Sequence, residues 1–244
     1  MEIVIIGIDC ATDPKKVGLA KSVLKDGQLC LESAEQGCSG MNIATHIVQW
    51  ISVPSPTLIA LDAPLGWPSS LGDSLAPHSA GMPIEYPGNL LFRRETDRFI
   101  KSRIGKQPLD VGADRIARTA LAALAILARL RELTSNPIPL AWNPALQQTS
   151  AIEVYPGGTL LSHGLPYQSY KNNSAEQRQM RAQIIEGLSA LIEIPDPAPL
   201  LSKADTLDAV ICCLAAADFL RGTTLPPENQ SLAEKEGWIW VKAP

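Results

Sequence analysis

The sequence predicts an α/β fold. Its core is a mixed sheet whose first three strands are antiparallel and whose later strands run parallel to the first, flanked by helices and carrying an irregular Pro-rich insertion. Three observations carry this expectation. A β-branched run over residues 3–8 stops at the polar Asp9, and a second apolar run from Thr57 to Leu61 stops at Asp62. Both fit strands buried on two faces. Between them lie a hairpin signal and a helix-spaced segment, and two helical stretches near the C-terminus supply apolar surface to cover the sheet.

Val17 to Leu24 reads as the second strand and Gln28 to Ser33 as its antiparallel partner, because Asp26-Gly27 supplies the positive φ angles of a two-residue hairpin. Asn42 to Ile51 places Ile43, Ile47 and Trp50 at helical spacing, with Pro54 and Pro56 as a stop. From Ala63 to about Asp110, prolines 64, 68, 77, 83, 87 and 108 interrupt any long element, leaving one short helix near Arg94 to Arg103. A long helix is expected from about Ala113 to Leu133. Thr149 to Tyr155 is a further strand, stopped by Pro156-Gly157-Gly158. Helices follow at Ser174 to Ile192 and at 203–220, separated by Pro195, Pro197 and Pro199. Trp238 to Val241 is expected at a sheet edge.

With 45% hydrophobic and 19% charged residues, the 244-residue chain has the make-up of one globular domain, 1–244, decorated by the insertion at about 63–110. Met1-Glu2 runs straight into the apolar stretch with no basic region, as a first strand does and a signal peptide does not. The most apolar helical stretch, Thr119 to Ala128, is closed by Arg118 and Arg129 and is too short to span a bilayer, so no membrane partner is expected. Five cysteines with no C-x-x-C pair argue against a disulfide framework and for a reducing cytoplasm. A net charge of −4 gives no global attraction to nucleic acid, so any such contact has to come from a local patch. Tryptophans exposed in the tail would permit a homodimer.

Topology joins the acidic residues. A strand, a hairpin, a helix and another buried strand place the fourth strand beside and parallel to the first, which sets Asp9 next to Asp62 at the carboxyl ends where ligands bind. Asp205 and Asp208, three apart near the start of a helix, project from one face. Converging carboxylates repel one another unless a cation neutralises them. Oxygen-only ligands favour Mg2+ or Mn2+, and two such ions about 4 Å apart can support phosphodiester hydrolysis. Each residue also has a plainer reading. An aspartate after a strand often starts a turn or caps a helix, and Asp205 suits a helix dipole with Ser202 as N-cap. Asp208, inside an apolar helix, would be costly if buried without a partner.

Gly7-Ile8-Asp9, Ala60 to Gly66 (Ala-Leu-Asp-Ala-Pro-Leu-Gly), Arg94-Glu95-Thr96-Asp97-Arg98, Glu153-Val154-Tyr155-Pro156 and Asp205-Thr206-Leu207-Asp208-Ala209 together resemble the domain of unknown function 429 family. That family is regarded as predicted nucleases of the ribonuclease H-like superfamily. The closing Asp-x-x-Asp-Ala helix also resembles that of Holliday-junction resolvases. The resemblance implies a metal and catalytic set of Asp9, Asp62, Asp205 and Asp208, with Glu153 as a fifth acidic or orienting member. It further implies that Arg94, Asp97 and Arg98 cover the site and contact the phosphate of DNA or RNA. Lys171 is another phosphate-contact candidate. The plain alternative for the arginines is the solvated face of a helix, and for Lys171 a surface position.

Two rival readings stand beside the nuclease. One is a binding module for nucleic acid or protein in which the acids are structural. The other is phosphotransfer of the actin or sugar-kinase kind, which Asp9-Cys10-Ala11-Thr12 faintly resembles, although those proteins need two copies of the fold. No G-x-S-x-G elbow, Walker loop or G-x-G-x-x-G fingerprint is present, and His46, His78 and His163 are scattered.

Overall fold

The computed structural model describes residues 2–51, 55–112 and 114–244. Pro54 and Ala113, expected above as a helix stop and a helix start, lie outside the described residues. In chain order the elements are β1 (Glu2–Asp9), a 3-10 turn (Pro14–Lys16), β2 (Gly18–Lys25), β3 (Gln28–Gln36), α1 (Ile43–Val48), β4 (Thr57–Asp62), α2 (Ser69–Leu75), α3 (Gly88–Phe92), α4 (Glu95–Ile104), α5 (Asp114–Thr134), β5 (Ser150–Glu153), α6 (Pro156–Ser162), α7 (Ala175–Leu188), α8 (Ala198–Ser202), α9 (Ala204–Leu220) and α10 (Gln230–Glu236).

Among the described residues the sheet has the order β3-β2-β1-β4-β5. β1, β2 and β3 form an antiparallel meander, and β4 and β5 run parallel to β1. Asp26 and Gly27 turn the hairpin with φ of 51° and 86°, the conformation the Asp-Gly pair favours. Alternation along each strand sorts the core into two layers. Val4, Ile6, Ile8, Ile59 and Leu61 face Ile43 and Ile47 of α1 and Ala123, Leu127 and Leu130 of α5. Ile5, Leu58, Ala60 and Ile152 face α9, backed by Ile184 and Leu188 of α7. α9 is buried almost all round, from Thr206 to Phe219, as expected of a helix apolar on every side. It lies so close to the sheet that a side chain at Gly7 would collide with the Ala209 carbonyl oxygen.

The structure adds two short helices that the sequence reading does not predict, α8 in the Pro-rich linker and α10 after residue 220, and departs from it in three further places. The insertion holds α2 and α3 as well as α4. α2, rich in serine and glycine, has a weak intrinsic preference for helix. It is held by Glu236, whose Oε1 accepts from the Ser69 amide and hydroxyl while its Oε2 accepts from the Glu95 amide. One buried carboxylate thus caps the starts of α2 and α4. Pro156 does not stop β5 but opens α6 at the first helical position, where its missing N–H costs nothing. The tail forms isolated bridges, from Ile239 to Glu153 at the end of β5 and from Lys242 to Thr224, in place of a continuous edge strand. Trp238 and Trp240, expected exposed, are 2% and 5% exposed, and Trp240 packs edge-on against Phe219. They offer no surface to a second copy. No helix of the described residues is long and apolar enough to cross a membrane.

Candidate metal centre

The parallel pairing of β1 with β4 makes Asp9 and Asp62 direct partners. Both fall on the α9 side of the sheet, by the same alternation that puts Ile5, Gly7, Leu58 and Ala60 there. α9 brings Asp208 down onto them, and each of the three carboxylates places an oxygen within 4.8 Å of the others. Asp205, one turn earlier on the same helix face, is half-buried and outside this triad; its Oδ2 accepts from Gln36 Nε2 at 2.7 Å.

Burial sets the electrostatics. Loss of solvent, followed by the neighbouring Asp208 and Asp62 charges, pushes Asp9 well above the usual carboxylate range. Burial pushes Asp62 up to about 7 despite the opposing pull of Lys171. Asp205 is raised too, by burial and by Asp208. Asp208 is fixed from two directions, with Oδ1 accepting from the Tyr170 hydroxyl at 2.7 Å and Oδ2 lying 2.6 Å from Lys171 Nζ. Burial and the adjacent Asp208 raise the Tyr170 hydroxyl, so it remains a donor.

Glu153 lines the same cleft as Asp9 and Asp62, with Arg94 and Asp97, but is not one of the three converging carboxylates. It is paired with Leu61 across the β4–β5 ladder and so lies on the opposite face from Asp9 and Asp62. There it meets Arg94, which is 1% exposed. Arg94 donates Nη1 to Glu153 Oε2 at 2.8 Å, Nη2 to Glu153 Oε1 at 2.6 Å and Nη2 to Asp97 Oδ1 at 3.0 Å. It also donates Nε to Asp97 Oδ2 at 3.2 Å and Nη1 to the Glu236 carbonyl at 3.3 Å. All five guanidinium donors are directed at protein oxygens. Glu153 further accepts from the Leu65 amide at 2.9 Å, which pins the turn that follows Asp62. Arg98 is half-buried and donates to the Arg93 carbonyl at 2.5 Å.

The family model described as "Protein of unknown function (DUF429)" matches residues 7–231. The chain belongs to the DUF429 family. The strand order and directions of this DUF429 protein are those of the ribonuclease H-like sheet. A search of curated proteins gives no match. Among solved structures, T. thermophilus RuvC in complex with a Holliday junction substrate aligns at 14% identity, covering 91% of this chain and 97% of that one, with a TM-score of 0.36.

In the DUF429 site, Asp9 and Asp62 line a cleft of about 260 Å3 with Pro64, Leu109, Ile116, Tyr155 and Lys171. Cys10 borders the same cleft, but burial and the two aspartates push its thiol well up. It stays protonated, which leaves carboxylate oxygens as the donor set. Three converging carboxylates, Asp208 buried and Asp9 and Asp62 partly buried, against one lysine make an excess of negative charge, and such oxygen donors suit a hard divalent cation. The residues present therefore fit Mg2+ or Mn2+. Gln36, Tyr170 and Arg181, which hold Asp205, Asp208 and the loop beside them, have no local sequence signature. The scattered histidines lie elsewhere, with His46 against Glu35 and His163 against Asp218, 2.6 and 2.7 Å apart.

Proposed function

We propose that this DUF429 protein is a metal-dependent nuclease, a phosphodiesterase that holds Mg2+ or Mn2+ with Asp9, Asp62 and Asp208. The convergence of those three carboxylates from two strand ends and a helix, each with an oxygen within 4.8 Å of the others, carries the reading. A bound divalent cation supplies charge to stabilise the phosphoryl transition state and to lower the pKa of the attacking water. Asp205, one helical turn away, adds negative charge at the margin and orients through Gln36. Tyr170 holds Asp208 in one rotamer. The Arg94–Glu153–Asp97 group acts at one remove, because it fixes the turn after Asp62 and with it the direction of that carboxylate. Pro64, Ile116 and Tyr155 restrict water beside the reacting centre. Lys171 and Arg98 are the candidates for contact with a DNA or RNA phosphate.

The test is calorimetric titration of Mn2+ into the wild type and into Asp9→Asn/Asp208→Asn, alongside cleavage of labelled single-stranded, duplex and branched DNA and RNA. Metal binding and cleavage that both disappear in the double variant support the nuclease. A wild type that binds no metal and cuts nothing overturns it in favour of a binding module with structural acids.

A further inference from the structure

We infer that Lys171 is a tethered counter-cation of the carboxylate cluster, one that releases Asp208 when a divalent cation arrives and then serves the substrate phosphate. The inference rests on the metal-site reading above. Asp208 is buried, and its Oδ2 has the Lys171 ammonium, 2.6 Å away, as its ionic partner. The lysine side chain is nonetheless 60% exposed. A flexible four-carbon stem can therefore swing to solvent while the carboxylate stays where it is.

The backbone that presents Lys171 does not share this freedom. Arg181, 0% exposed, donates Nη1 to the carbonyls of Tyr170 and Asn172 at 2.6 and 2.7 Å, and Nε to the Leu201 carbonyl at 2.9 Å. The residues on either side of Lys171 are thus clamped to α7, and Leu201 ties the same arginine to α8. Tyr170 itself is anchored to Asp208. The result is a rigid mount carrying a mobile charge. Lys171 also borders both the triad cleft and an adjoining groove of mixed charge, where Arg93 pairs with Asp110 and Arg115 with Asp114. An ammonium displaced from Asp208 can turn toward this second groove, whose arginines are balanced by Asp110 and Asp114, and so stand free at the edge of the triad cleft to meet a phosphate.

A monovalent ammonium and a divalent cation compete for the same carboxylate oxygen, so deleting the ammonium strengthens metal binding. Meanwhile the phosphate loses a partner. A lysine with only a structural role does not produce opposite shifts in these two quantities.

The experiment is Mn2+ calorimetry on the wild type, Lys171→Gln and Lys171→Arg, with amine-labelling of Lys171 read by mass spectrometry with and without Mn2+. We expect Lys171→Gln to bind Mn2+ about tenfold more tightly, Lys171→Arg to stay near wild type, and the labelling rate of Lys171 to rise several-fold when Mn2+ is added. Where cleavage is measurable, Lys171→Gln falls below wild type despite its tighter metal. A wild type that binds Mn2+ while Lys171→Gln binds it equally or more weakly overturns the counter-cation alone. A wild type that binds no Mn2+ overturns the metal site and the counter-cation with it.

Discussion

Asp9 and Asp62 are register partners at the carboxyl ends of adjacent parallel strands, so two carboxylates share one side of the sheet at the strand spacing of roughly 4.8 Å. Burial raises both, Asp62 from 3.8 to about 7. A carboxyl with a raised folded-state pKa keeps a proton that the unfolded chain has already released, so stability falls as pH rises between the two values. Without divalent cations, the unfolding free energy should decline from about pH 4 to about pH 7. A tenfold difference in proton affinity between the folded and unfolded chain is worth roughly 1.4 kcal/mol, which puts the decline on the order of a few kcal/mol. Urea denaturation at a series of pH values checks this. Asp62→Asn should flatten the profile and be the more stable protein at pH 8; a slope equal to that of the wild type would show that Asp62 is not its source.

Metal binding needs those carboxylates ionised and therefore releases protons. If Mn2+ binds at the triad, its thermal stabilisation of the wild type should be small near pH 5 and grow toward pH 8. The heat of binding should also vary with the ionisation enthalpy of the buffer. Buffer-independent heats at pH 6 would contradict proton release from Asp9 and Asp62.

Gly7 marks the place where the sheet and α9 touch, and a methyl group there would meet the Ala209 carbonyl and the Cys213 sulfur. Since Ala209 follows Asp208, the displacement is transmitted to the triad. Gly7→Ala should cost about 1–3 kcal/mol or more through overpacking and weaken Mn2+ binding. Gly72→Ala is the contrasting case. Gly72 lies in α2 with open space where its Cβ would be, and alanine there should stabilise by about 0.5–1 kcal/mol. Denaturation midpoints of the two variants that move in the same direction would refute this account.

Much of this geometry is written in local patterns. β-branched runs ending at Asp9 and Asp62, a hairpin between them and a three-residue spacing from Asp205 to Asp208 suffice to place these acids near one another, because strand ends and helix faces follow from periodicity. Spacing alone does not separate Asp205, turned to Gln36, from Asp208, turned to Tyr170. Glu153 is harder still, since β5 is only four residues long and buried throughout, so no polar alternation reveals which face it takes. Arg94 sits among Arg93, Arg98, Lys101 and Arg103 and reads as one more solvated charge. Its partner Glu153 is 59 residues away, and so distant a pairing leaves no trace in the local pattern. The caps supplied by Glu236 to α2 and α4 are concealed for the same reason.

Arg94 and Glu153 make the sharpest stability prediction. Removing one member of a buried ion group leaves the others charged and unpaired, a loss of about 3–5 kcal/mol. Arg94→Met should incur that loss because it strands both Asp97 and Glu153. Arg94→Lys should recover little, since an ammonium cannot reproduce the forked contacts of the guanidinium with two carboxylates. Arg94→Met/Glu153→Met removes one of the stranded charges and should be more stable than Arg94→Met alone, with a coupling energy that a double-mutant cycle measures. A residue whose role was to bind phosphate would behave otherwise: Arg94→Met would keep wild-type stability in urea and lose only affinity for nucleic acid.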